Sequence, residues 1–256
     1  KMEMTKPKGK CIFCNNEYTK QGMTKHLASH FAQKEMSLKK GKSFHVKVET
    51  NKSWDKTPYF LHLWIDGNTT FGEVDAYLRA IWLECCGHMS AFRIPSNASY
   101  SGGFDVMDAY DYLDAGNEDK YNEIMAKATG QIPMKEKFNS CAKKSLVIEY
   151  EYDFGSSTEL ELTIVDEYPF TGLQSIILLS RNEPMQLPCS ACGKNEAKEI
   201  CPVCSWDEEA SFCEKCAEKH AKKCEDFEDC AMPIVNSPRC GVCGYMGGEI
   251  DVERDE

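Results

Sequence analysis

The chain has 256 residues, 42% of them hydrophobic, and a net charge of −11, which suits one substantial core with small satellites. Its longest apolar runs, such as Ile176–Leu179, are far too short to span a bilayer, and the first residues carry charges with no apolar stretch behind them; these features argue against a membrane span and a secretory signal. The expected compartment is therefore the reducing cytoplasm, where closely spaced cysteines favour metal over disulfides.

Charge is unevenly spread. Residues 1–56 hold thirteen lysines against five acids, a balance of +8, which leaves −19 for the remainder. A basic head on an acidic body suits a protein whose head alone approaches a polyanion, although lysines that merely solubilise a segment give the same composition.

The first motif is Cys11-x2-Cys14-x11-His26-x3-His30. Met23, His26, Leu27 and His30 are spaced three or four apart, so one helical face carries both imidazoles and the apolar residues. The segment resembles the two-Cys two-His zinc finger, with Tyr18 and Met23 in the places of the usual aromatic and leucine, and one residue fewer between the second Cys and the first His. The resemblance implies a zinc site. The basic charge of this head makes Lys6, Lys8, Lys10, Lys20, Lys25 and Lys34 the candidate phosphate contacts to RNA, DNA or a ribonucleoprotein, though single fingers also bind protein. Lys34–Lys42 reads as a linker.

Beyond it the period changes to two. Phe44, Val46 and Val48 alternate with His45, Lys47 and Glu49, and Leu61, Leu63 and Ile65 alternate with Phe60, His62 and Trp64, which predicts two strands. Thr70-x-x-Glu73 is a capping-box pattern opening a helix through Phe71, Val74, Leu78, Ile81 and Trp82 that ends near Gly87. Strands are predicted at 88–94, over Leu146–Phe154, over Glu159–Ile164 and at 175–180. The acidic stretch from Asp105 to Thr129 reads as helical with a break at Gly116. Together these make an α+β domain over 43–185.

The run Gly67–Phe92, the acidic helices and the run Ile148–Tyr168 resemble the plasmid Ri open-reading-frame-three-like family, whose members are often described as insertion-element passenger proteins resembling TnpR. Trp82, His88, Met89, Phe92, Tyr152, Asp153, Phe154 and Gly155 match its motifs; Ser156, Thr158 and Leu160 depart from the family's Asp, Trp and His. The resemblance implies the fold over about 140 residues and a mobile-element association, but no assigned activity.

The third segment, 188–256, is cysteine-rich: Cys189-x2-Cys192-x8-Cys201-x2-Cys204-x8-Cys213-x2-Cys216-x3-His220-x3-Cys224, then Cys230, Cys240 and Cys243. A C-x-x-C turn points two thiolates at one tetrahedral ion, and two such pairs close a site. The order resembles MYND and HIT-type cross-brace fingers, which implies that Cys189, Cys192, Cys213 and Cys216 share one ion while Cys201, Cys204, His220 and Cys224 share another. That resemblance also implies a protein partner. Because Cys240-x2-Cys243 repeats the first knuckle, both are candidate ligands, and a ribbon-like pairing of Cys189/Cys192 with Cys240/Cys243 stays open. Three zinc ions are expected, with a fourth if Cys230, Cys240 and Cys243 find another ligand.

Other candidates are weaker. Cys85 and Cys86 are adjacent and read as buried thiols; His62 and His88 read as packed, hydrogen-bonded histidines. Glu149, Glu151, Asp153, Glu159 and Glu161 can line one sheet face for acid–base work, though such a row is usually the wet side of a sheet. No phosphate-binding glycine loop or nucleophile elbow is present, and the zinc sites have full ligand sets. The expected function is thus a non-enzymatic zinc-binding interaction protein. A pure protein adaptor and a mobile-element factor or enzyme using the acidic face are the alternatives.

Overall fold

A computed structural model describes residues 7–32, 39–50, 59–94, 106–172, 174–206 and 208–250. The alternating apolar positions build the core as read. Strands β3 (Lys39–Thr50), β4 (Phe60–Asp66), β5 (Ser90–Arg93), β6 (Gln131–Ile132), β7 (Val147–Tyr152), β8 (Thr158–Thr171) and β9 (Ile176–Arg181) form one antiparallel sheet in the order β6-β5-β7-β8-β3-β4-β9. The stretch read as a linker through Lys42 instead opens β3, with Lys39 opposite Thr171 and Lys40 opposite Phe170.

One sheet face carries Val46, Val48, Leu61, Leu63, Tyr150 and Leu162 against α2 (Phe71–Leu78), and all are buried. The capping box is present: Thr70 accepts from the Glu73 N–H while the Glu73 carboxylate accepts from the Thr70 N–H at 2.7 Å. The helix ends earlier than expected, as a π-helical turn over Arg79–Leu83. The acidic stretch forms α3 (Val106–Asp114) and α4 (Glu118–Thr129), broken at Gly116 with φ +75°. Among the described residues no helix is long and apolar enough to cross a membrane.

The second sheet face explains why β4 is buried on both sides. Strands β1 (Lys8–Lys10) and β2 (Glu17–Thr19) and helix α1 (Lys20–Ala32) make up the finger segment, whose Met23, Leu27 and Phe31 pack with Trp64 and Leu179. Phe31 meets the Trp64 ring at 5.0 Å. The finger also extends the sheet edge: the Ile12 N–H donates to the Leu179 carbonyl at 3.0 Å, and the Glu183 N–H to the Lys8 carbonyl at 2.7 Å. A Cβ on Gly9 would lie 2.4 Å from the Arg181 carbonyl oxygen, so this approach requires glycine. The described part of the finger segment, residues 7–32, is thus tied to the core by sheet hydrogen bonds and by packing.

Beneath α1, the buried imidazoles of His45 and His62 share a hydrogen bond of 2.9 Å, which fits the packed role expected for His62. Burial pulls the His45 pKa down from 6.5 to about 4, with Asp166 opposing and Lys47 adding to the fall; burial and then His45 pull His62 well below its usual value. Both histidines are neutral when folded, while the unfolded chain takes up protons below about pH 6.5. This pair's contribution is therefore complete above that pH and is lost as the pH falls towards 4, by about 3 kcal/mol for His45 alone. His45→Phe is expected to flatten the decline in melting temperature between pH 6.5 and 4 relative to the parent. Parallel curves for the two proteins would show that the pair does not titrate on unfolding.

Candidate metal centres

Three turns place the finger's ligands. Cys11 and Cys14 flank a knuckle closed by the Asn15 N–H on the Cys11 carbonyl at 2.8 Å, with Asn15 at φ 58°. His26 and His30 stand one helical turn apart on α1, beside rather than on the buried Met23–Leu27–Phe31 stripe. Tyr18 stacks on His26 at 4.1 Å and Phe13 lies 4.8 Å from His30, fixing both rings. The Cys14 sulfur is 3.2 Å from His26 Nε2, which is 3.0 Å from His30 Nε2.

In the third segment, β10 (Glu199–Ile200), β11 (Ser211–Phe212) and β12 (Met232–Pro233) form a small sheet. Helix α5 (Glu214–Ala221) follows, with α6 (Phe227–Cys230) after it. Cys213 caps α5 and Cys216 lies in its first turn; His220 stands one turn later in its last turn, and Cys224 lies three residues past its end. One helix therefore feeds two groups, Cys189–Cys192–Cys213–Cys216 and Cys201–Cys204–His220–Cys224, whose ligand atoms within each group lie within 4.8 Å of one another. The ligands thus meet in the cross-brace pairing and not in the ribbon-like one. Gly193, at φ 62°, repeats the finger's knuckle, its N–H on the Cys189 carbonyl at 2.8 Å.

The separations are informative. Four thiolates about one zinc, each bond about 2.3 Å, stand about 3.8 Å apart. Cys224 lies 3.9 Å from Cys201 and 3.8 Å from Cys204, and none of the fifteen cysteines is in a disulfide. Backbone N–H groups of Lys194 and Asn195 hold the Cys192 thiol down to about 6. Crowding acts the other way elsewhere: Cys213 and then burial push Cys216 up to about 12, and burial with Cys201 and Cys224 pushes Cys204 up to about 12. A divalent cation at the centre reverses that penalty, because a coordinating thiol is deprotonated outright. These donor sets can hold metal ions and have the chemistry of zinc.

Thirteen of the fourteen predicted ligands fall into such groups, and Cys240 does not. The repeated C-G-V-C-G is not a repeated knuckle: the Cys240 sulfur accepts from the Val235 N–H at 3.4 Å, while Cys243, at φ 50°, points away from it to the core. There it meets Cys85, Cys86 and His88 in a fourth group. His88 is half-buried, edge-on to the Tyr152 ring at 5.7 Å and hydrogen-bonded, as expected, and Cys85 is half-buried; the reading of Cys86 as a buried thiol is corrected, since it is exposed. The available signal was the local density of donors in Cys85-Cys86-x-His88. Cys230 is exposed and outside the four groups.

Of the candidate phosphate-binding lysines, Lys6 and Lys34 lie outside the described residues. Lys10 pairs with Glu183 at 3.6 Å, and Lys20 pairs with the buried Glu49, which also holds Lys47. Lys8 and Lys25 are exposed. The acidic face is likewise smaller than expected. Glu149 stands opposite Glu161, and Glu151 opposite Glu159, as an outer row, but Asp153 leaves the strand and turns inward to Arg239.

No protein-family model matches the chain, and no curated protein matches it. Among solved structures, the protein of unknown function MM3350 from Methanosarcina mazei Go1 is similar over 73% of this chain and 86% of its own, at 13% identity and a TM-score of 0.38.

Proposed function

We propose that this chain is a non-enzymatic, zinc-stapled interaction protein whose C-terminal two-ion module engages a protein partner. The observation that carries the reading is closure: three groups each offer four protein donors, the pattern of structural rather than catalytic zinc. The finger's apolar helix face and two of its lysines are taken up by the core, which favours a protein adaptor over a polyanion reader. The likeness to MYND and HIT modules supports the same end of the molecule as the contact surface. Membership of the plasmid open-reading-frame-three-like family remains part of the proposal for the core.

Removing residues 1–42 would expose the Trp64 face, so the nucleic-acid test uses point charges instead. Full-length protein and the Lys8→Glu, Lys25→Glu double variant are titrated against RNA and duplex DNA at low salt by fluorescence anisotropy. We expect neither to bind, while a photo-crosslinker at the exposed Val203 captures protein. Binding abolished by the double variant, with a salt slope of about 0.9 per phosphate on duplex DNA, would replace the adaptor reading with a nucleic-acid one.

A further inference from the structure

The fourth group joins two parts of the chain that are far apart in the sequence. Cys85, Cys86 and His88 sit in the turn after the π-helical segment, and Cys243 reaches them from 155 positions beyond His88. Gly87, at φ +77°, folds the turn back, its N–H on the Glu84 carboxylate at 2.5 Å, so that neighbouring donors converge. The Cys86 sulfur lies 3.7 Å from those of Cys85 and Cys243; His88 Nε2 lies 2.9 Å from Cys86 and 3.3 Å from Cys243. Sulfurs about one zinc stand about 3.8 Å apart, and sulfur and nitrogen about 3.5 Å.

We propose that these four residues form a further zinc site, three thiolates and one imidazole, whose ion latches the C-terminal segment 232–250 onto the core. Soft thiolate donors select zinc-class ions over magnesium or calcium. Three thiolates on a divalent ion leave one negative charge, and the fully buried Arg239 guanidinium, which also pairs with Asp153, offsets part of it from 3.6 Å away at Cys85. The ion pins a segment that fits in one register. Ser237 donates to the Trp82 carbonyl at 2.6 Å, Tyr245 is buried, and a Cβ on Gly248 would stand 2.4 Å from the Ala80 carbonyl oxygen.

This site differs from the others in access. Cys86 and Cys243 are exposed, whereas no ligand of the other three groups is. Its ion is the first to leave when zinc is scarce, and the segment it holds becomes the zinc-responsive part of the molecule.

Native mass spectrometry of zinc-loaded protein, read beside hydrogen exchange, tests this. Four ions are expected for the parent and for the Cys240→Ala control. Three are expected for Cys243→Ser and for Cys86→Ser, with faster exchange over 232–250 and unchanged protection in the sheet. A limiting amount of chelator should reproduce that pattern in the parent. Three ions in the parent with the same count in both serine variants would overturn the site but leave the three-ion reading standing. A disulfide among these cysteines, or loss of the ion with no change over 232–250, would also overturn the proposal.

Discussion

Complete chelation at neutral pH is expected to unfold residues 188–231 while the seven-stranded sheet stays hydrogen-bonded. The buried cluster of the cysteine-rich module is Cys189, Cys201, Ala210, Phe212, Cys213, Ala217 and Phe227, so three of its seven members are ligands themselves. Two phenylalanines bury apolar area worth about 3 to 6 kcal/mol together. Ordering the backbone costs more than that burial returns, and the module's strands are only two residues long. The metal must supply the difference. Structural zinc contributes about 10 to 16 kcal/mol per site in finger peptides, and two sites share this module.

The finger segment should respond less, because the Phe31–Trp64 packing and the Ile12–Leu179 hydrogen bond do not involve the ion. Hydrogen exchange with and without chelator, followed by zinc restoration, reads all three regions at once. Equal exchange across β3, β4, β8 and residues 188–231 would mean that the core, too, depends on metal.

What could be read in the sequence follows from the range of each signal. Knuckles, helical spacing and strand alternation are local, so the finger ligands, α2, β7 and β8 emerge directly from residues a few positions apart. The apolar character of both faces of β4 was also on view, in Phe60 and Trp64 as much as in Leu61 and Leu63, but only the fold shows α1 covering the second face. Lys10 and Lys20 looked free because Glu183 and Glu49 are remote in the chain. The C-x-x-C spacing pairs Cys243 with Cys240, whereas backbone geometry sends the two thiols apart and groups Cys243 with Cys85, Cys86 and His88. Asp153 shows the same limit: alternation placed it with Glu149 and Glu151, yet its φ of 65° takes it out of the strand.

That displaced carboxylate makes Arg239→Met the point substitution expected to cost most. The guanidinium is fully buried and donates to Asp153 at 2.5 Å, to the Ser156 carbonyl at 2.7 Å and to the Thr158 hydroxyl at 3.1 Å, with its carbon 4.9 Å from the centre of the Tyr152 ring. Methionine fills much of the volume and satisfies none of these groups. Breaking a buried ion pair from one side costs about 3 to 5 kcal/mol, most of it the burden of the charge left behind. Adding Asp153→Asn should therefore recover part of the loss, and a double-mutant cycle in denaturant measures the coupling. The loss should also depend on pH with a definite sign. Burial alone would raise the Asp153 pKa, but Arg239 and the N–H groups of Ser156 and Gly155 outweigh it and hold the carboxyl at about 2, below its usual 3.8. A depressed carboxylate stabilises the fold above its unfolded pKa and loses that contribution as pH falls through the folded value. The gap between parent and Arg239→Met should accordingly be widest near neutrality and narrow below about pH 4. A gap that stays constant from pH 7 to 3 would assign the cost to lost packing on Tyr152 and not to the stranded charge.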